Sequence, residues 1–125
     1  MKKKSSKKLK AQLDSIFSLY IRTRDKGVCF TCGLKKDVKE MQNGHYFSRG
    51  YLATRFDEQN CNCQCVGCNV FRNGNYPIYS IRLQAKYGPE ILKKLAEKSR
   101  QTVKYSPTDY EELIQEYQSK LSNNL

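Results

Sequence analysis

Tryptophan is absent from this chain, histidine occurs once, proline three times, and 12 acidic residues stand against 23 lysines and arginines. No apolar run approaches the roughly 20 residues that a bilayer crossing requires, which excludes a membrane-spanning helix. The basic N-terminus is not followed by an apolar segment, so no secretory signal is read and the chain is expected to be cytoplasmic. In that compartment paired cysteines bind metal more often than they form disulfides. With a single histidine, any imidazole chemistry falls on His45. Apart from the lysine-rich start there is no low-complexity segment and no internal repeat, and 125 residues make one small domain with an appendage. Only 38% of the residues are hydrophobic, so the core is thin and a structural metal would add stability.

The scarcity of acid leaves a net charge of +11. Residues 2–10 hold six lysines and the last twenty residues are net acidic, so residues 11–105 stay basic without the tail. A basic body points to a polyanionic partner, most simply nucleic acid. The plainer alternative is a solubilising surface.

What the chain does have is two Cys-x-x-Cys pairs, Cys29 with Cys32 and Cys65 with Cys68. Four thiolates in two such pairs make a tetrahedral zinc site. Thirty-two residues separate the pairs, more than the roughly 15–20 of an ordinary zinc ribbon, which leaves room for a hairpin and a loop. Cys61 and Cys63 offer further ligand sets. Their one-residue spacing suits a zinc knuckle less well, and strand alternation would put Cys61, Cys63 and Cys65 on one face. They are read as small core or edge residues.

The pattern predicts an α+β fold. Residues 1–7 read as a disordered basic arm, residues 8–105 as the zinc-stapled domain, and residues 106–125 as a C-terminal helix. Leu9, Leu13, Ile16, Phe17, Tyr20 and Ile21 recur at helical spacing, which predicts a helix over 8–25. Residues 38–47 suggest a strand bent at Gly44, 48–59 a polar loop, and 60–64 a second extended piece. The second knuckle is expected to open a helix near residue 66, broken at Asn73-Gly74-Asn75. A helix over 76–87 follows, then a stop and restart at Gly88-Pro89. Ser106-Pro107 opens the last helix, with the stripe Tyr110, Leu113, Ile114, Tyr117 and Leu121.

His45 lies between the two knuckles, after a glycine and near Asn43, Arg49, Arg55, Asp57, Asn60 and Asn69. Phosphodiester hydrolysis needs a base for water, a cation at the leaving oxygen, and positive charge on the phosphate. Neutral imidazole suits the first. A hard divalent ion with oxygen ligands suits the second, and arginine the third. His45, Asn69 and the pair Arg49 and Arg55 can fill these roles.

The ordered set Ile21-Arg-Thr-Arg-Asp25, Cys29-Phe-Thr-Cys-Gly33, Gly44-His-Tyr46, Ser48-Arg49, Arg55-Phe-Asp57, Asn60, Cys65-Val-Gly-Cys-Asn69, Gly74-Asn75 and Tyr87-Gly88 resembles the phage NinG/Rap recombination proteins. More broadly it resembles the zinc-stapled HNH (ββα-metal) endonucleases, the group of phage endonuclease VII. The resemblance spans residues 16–90. It implies a small ββα-metal core stapled by four-cysteine zinc and flanked by N- and C-terminal helices. It implies a DNA endonuclease acting on branched, Holliday-type junctions with catalytic Mg²⁺ or Mn²⁺. By position, His45 would activate water, Asn69 would bind the divalent ion, and Asn60 would hold the loop carrying His45. Arg49, Arg55 and Arg72 would bind DNA phosphates.

One departure is Gly44, where many HNH enzymes carry a metal-binding Asp. Asn43, Asp57 and His45 itself are then candidate second ligands. Two other readings stand beside the nuclease: a non-catalytic zinc module binding nucleic acid, and a protein-interaction module. Junction resolution needs two cuts, so a homodimer through the last helix is one arrangement. The alternative, which the reading favours, packs that helix on its own core.

Overall fold

The computed structural model describes residues 4–123 of the chain. Helix α1 spans Ser6–Arg24 and is capped by Ser5, whose hydroxyl accepts the Lys8 N–H at 3.2 Å. The helix therefore begins inside the stretch read as a disordered arm; residues 1–3 of that arm lie outside the described residues. Its stripe of Leu9, Leu13, Phe17, Tyr20 and Ile21 is buried. It packs on the last helix, α5 (Pro107–Asn123), through Tyr110, Ile114 and Tyr117. Phe17 meets Tyr117 edge-on with ring centroids 4.9 Å apart and meets Phe56 at 5.8 Å. Such aromatic pairs are worth about 0.5–1.5 kcal/mol beyond their burial. The apolar stripe of α5 is thus spent on its own core.

Strands β1 (Gln42–His45) and β2 (Cys61–Gln64) pair antiparallel, with Gln42 opposite Gln64, Asn43 opposite Cys63, Gly44 opposite Asn62 and His45 opposite Cys61. The strand expected over 38–47 is shorter, because Asp37 caps a 3₁₀ turn at Val38–Glu40. Although rich in Asn and Gln, β2 is buried along its whole length. Its outer edge is closed by side chains and a loop. The Asp25 carboxylate accepts the Cys63 N–H at 2.9 Å, Arg24 donates to the Cys61 carbonyl at 3.0 Å, and the Phe30 N–H reaches the Cys63 carbonyl at 2.7 Å. The Arg-Asp pair ending α1 therefore serves the sheet, leaving little of its edge unpaired.

The expected polar loop at 48–59 contains one helical turn, α2 (Leu52–Arg55). The expected helix near residue 66 is instead a π-helical turn at Gly67–Phe71, closed by Asn73, Gly74 and Asn75 with φ of 48°, 90° and 51°. Helices α3 (Tyr76–Tyr87) and α4 (Ile91–Ser99) then build a second core from Tyr79, Leu83, Ile91 and Leu95. The fold is a mixed α/β arrangement with one two-stranded sheet set between two helical cores. No helix among the described residues is long and apolar enough to cross a membrane.

Candidate functional site

The four paired cysteines converge. The sulfurs of Cys29, Cys32, Cys65 and Cys68 all lie within 4.8 Å of one another, with Cys32 and Cys65 3.6 Å apart. A zinc tetrahedron spaces its sulfurs about 3.8 Å apart, so the cluster is compatible with a structural zinc. The surroundings favour thiolate at Cys29 and Cys68. Burial opposes charge on Cys29, but the Thr31 hydroxyl at 3.3 Å and backbone amides outweigh it and lower its pKa. Cys68 is lowered too: hydrogen bonds from Thr31 and Asn75 overcome its burial. Burial and its sulfur neighbours push Cys32 up, as for thiols sharing protons in a metal-binding group. Cys61 and Cys63 are not among these four, although Cys63 shares their buried cluster with Cys29, Cys65 and Cys68. Cys61 is buried in the α1–α5 core and its thiol is pushed far up by that burial. Cys63 packs against Met41 and is raised to about 12, chiefly by burial.

A cleft of about 360 Å³ opens between α1 and β1, lined by Asp14, Ser18, Arg22, Met41, Gln42, Asn43, His45, Arg49 and Asn69. It brings together His45, Asn43, Asn69 and Arg49. The His45 ring nitrogen Nε2 lies 2.9 Å from the Arg55 carbonyl oxygen. A carbonyl only accepts, so Nε2 carries the proton and Nδ1 keeps a free lone pair. Burial lowers the His45 pKa below its ordinary 6.5, and the nearby Arg49 charge adds to this against the Arg55 carbonyl bond. The imidazole is therefore neutral at pH 7. The Asn43 side-chain oxygen is buried without a hydrogen-bond partner. Asn69 donates its amide to Gln42 at 2.7 Å, which leaves its own side-chain oxygen for a ligand.

The other expected site residues have different surroundings. Asn60 is fully buried outside the cleft. Its oxygen accepts the Phe47 N–H at 2.8 Å and its amide donates to the Phe47 and Thr54 carbonyls at 3.0 Å each, clasping the segment that follows His45. Arg55 stands next to the cleft with its guanidinium engaged: both Asp14 oxygens accept from it at 2.9 and 2.5 Å, and the Arg49 carbonyl at 2.9 Å. Asp57 does not line the cleft; its carboxylate holds Lys98 at 2.6 Å and the Gln59 N–H at 2.8 Å. Arg72 lies by the cysteines, donating to Cys68 Sγ at 3.5 Å.

Gly44 has a structural reason. A Cβ there would collide with the Gln64 side chain, which donates to the Gly74 carbonyl at 2.9 Å and the Thr31 hydroxyl at 3.1 Å. The Gly44 carbonyl accepts the buried Tyr79 hydroxyl at 2.6 Å. A side chain before His45 would thus enter the interior. Sequence reasoning missed the α1 wall. Asp14, Ser18 and Arg22 recur every four residues opposite the apolar stripe, a signal indistinguishable from an ordinary solvated helix face.

The family model described as bacteriophage lambda NinG protein matches residues 1–124. Relatives include the proteins named ninG of Escherichia phage lambda and Salmonella phage P22. Each is 28% identical over 114 residues, covering 90% of this chain and 55% of the relative. The ninG protein of Enterobacteria phage H19B is 30% identical over 86 residues, covering 67% of this chain and 42% of its own length. The chain thus spans about half the length of the curated relatives it matches. No solved structure matches it at a significant level.

Proposed function

We infer that this chain, which belongs to the bacteriophage lambda NinG protein family, is a zinc-stapled, HNH-type DNA endonuclease that cuts branched recombination intermediates in the cytoplasm of a bacterial host. The observation that carries the reading is His45: a neutral imidazole, its tautomer set by the Arg55 carbonyl, in a polar cleft with Arg49. The two-stranded sheet, the cysteine cluster and the turn bearing Asn69 are the features that support this reading.

In this mechanism the free Nδ1 of His45 takes a proton from water as the water oxygen attacks phosphorus, and the bond to the leaving deoxyribose oxygen breaks, that oxygen taking a proton from solvent. Asn60 keeps the segment after His45 in place, and the Arg55 carbonyl holds the ring and favours the imidazolium as it forms. Arg49 and Arg22, at the cleft wall, offset phosphate charge. The unpartnered Asn43 oxygen and the Asn69 oxygen are the donors that would hold a hard divalent cation, beside an Asp14 carboxylate whose two oxygens Arg55 already engages. When bound, Mg²⁺ or Mn²⁺ would supply charge stabilisation at the leaving oxygen. Zn²⁺ held by Cys29, Cys32, Cys65 and Cys68 would be structural.

The test is cleavage of a labelled four-way junction beside linear duplex of the same sequence, with wild type and His45→Ala in Mg²⁺, Mn²⁺ and EDTA. Metal-dependent cutting lost in the variant is expected. Tight binding without cutting in either metal would refute the nuclease. It would favour the second reading, a non-catalytic zinc-dependent nucleic-acid-binding module. One observation supports that alternative: among the described residues only the four cysteines form a cluster of three or more His, Cys, Asp or Glu ligands.

A further inference from the structure

The π-helical turn that carries Cys68 and Asn69 also carries Phe71, which is 80% exposed, with Val70 beside it at 50%. Scattered exposed hydrophobic residues are ordinary. Here the backbone holds the apolar tip outward. The Arg72 N–H closes on the Gly67 carbonyl at 2.9 Å, the Gly74 N–H on the Cys68 carbonyl at 2.9 Å, and the Asn75 N–H on the Arg72 carbonyl at 2.8 Å. Cys68 anchors the turn in the sulfur cluster, and Arg72 is tied to Cys68 Sγ. Phe71 therefore stands out on a braced support.

Its position is specific. Asn69, two residues earlier, lines the His45 cleft. Two trans peptide units span about 7.6 Å at most, so the Phe71 backbone lies beside the cleft rim. Arg72, the next residue, lines a separate depression beside the cysteines, with Cys32, Cys65, Leu34, Val66 and Lys36, and Glu40 as its one carboxylate. An apolar projection flanked along the chain by Asn69 of the cleft that holds Arg49 and by Arg72 of the depression that holds Lys36, in a chain of net charge +11, matches an aromatic base next to its phosphates.

We propose that Phe71, supported by Val70, is a wedge that inserts against an unstacked base of branched or kinked DNA whose backbone lies in the His45 cleft. The inference rests on the cleft being a nucleic-acid site, and it adds the element that distinguishes branched DNA from continuous duplex. A regular duplex presents no open base step. A branch point does, and the unstacking it has already undergone makes insertion favourable there.

The experiment uses the zinc-loaded full chain carrying His45→Ala, so that DNA stays intact. The probes are a four-way junction with 2-aminopurine at the branch point and a linear duplex of the same sequence. The parent is expected to prefer the junction and to raise 2-aminopurine fluorescence. Adding Phe71→Ala is expected to weaken junction binding about ten- to hundredfold and to abolish the fluorescence rise. Duplex affinity and zinc content should not change, and Phe71→Leu should retain part of the effect. Unchanged junction affinity and fluorescence on Phe71→Ala would overturn the wedge. So would a dimer that Phe71→Ala converts to monomer in sedimentation, since Phe71 would then be a protein contact. If the parent binds neither DNA, the wedge and the nuclease both fall. If Phe71-dependent unstacking is seen but wild type cuts nothing, the wedge stands and only the nuclease falls.

Discussion

Asn60 offers the sharpest test of how the fold holds His45. Asn60→Ala removes one acceptor and two donor bonds, to the Phe47 N–H and to the Phe47 and Thr54 carbonyls, at a fully buried position. Leaving a buried backbone donor unpaired costs about 1–3 kcal/mol, and the carbonyls and the small cavity add to it, so the expected loss is about 3–5 kcal/mol. That is a large share of the 5–15 kcal/mol typical of a domain. With a urea slope of about 1–3 kcal/mol per molar, the unfolding midpoint of the zinc-saturated protein should fall by roughly 1–5 M. Asn60→Asp separates shape from bonding. It keeps an acceptor for Phe47 but turns a carboxylate oxygen toward two carbonyl oxygens in a buried site. Its folded-state pKa must then rise above the unfolded value near 3.9, at about 1.4 kcal/mol per unit. The sign follows: the full penalty holds above the raised folded pKa and shrinks as pH falls toward the unfolded one. Urea midpoints at pH 7 and pH 5 read this directly. The reasoning fails if both variants stay within about 0.5 kcal/mol of wild type at pH 7, or if the loss in Asn60→Asp grows on acidification.

Three further outcomes are expected. Stripping metal with a strong chelator, or replacing Cys68 by Ser, should abolish the cooperative unfolding transition seen by circular dichroism, because metal-binding energy is folding energy in so small a core. Since burial holds the His45 pKa below its ordinary 6.5, the DNA cleavage we propose should be level in rate from about pH 6.5 upward and fall on the acid side as the imidazole takes a proton; a profile that rises as pH drops would remove His45 as base. Gly44→Ala forces a Cβ into the Gln64 side chain and should destabilise by about 1–3 kcal/mol in thermal melts, while a neutral effect would show that Gln64 is not held where the structure places it.

Several elements were legible because their causes are local. The stripes of α1 and α5 follow from helical spacing, and the restart at Gly88-Pro89 separates α3 from α4. The π-helical turn was not legible. Its hydrogen bonds close on Gly67 and Cys68 while Cys65 and Cys68 are drawn into the sulfur cluster, so it depends on residues some thirty positions away. The short β1 has a similar origin: Asp37 captures the Lys39 N–H and spends the first turn as 3₁₀ helix. The run Ile21 to Asp25 could be seen as a pattern, but its role at the edge of β2 needed the distances from Arg24 and Asp25 to Cys61 and Cys63.

From the sequence alone came the convergence of the four cysteines, since a two-residue spacing presents two sulfurs from one tight turn and two such pairs can complete a tetrahedron. So did the helices, since burial of a stripe depends on spacing within one segment, and the single histidine. Only the tertiary structure decided what surrounds His45. Asp14 meets Arg55 across 41 positions, Asn43 and Asn69 reach one cleft from different elements, and Asp57 and Arg72 are drawn elsewhere by Lys98 and Cys68. Each of these side chains has several partners within its reach, and local spacing cannot choose among them. Which one it takes is set by the packing of α1 against α5 and against a sheet whose strands lie far apart in the chain.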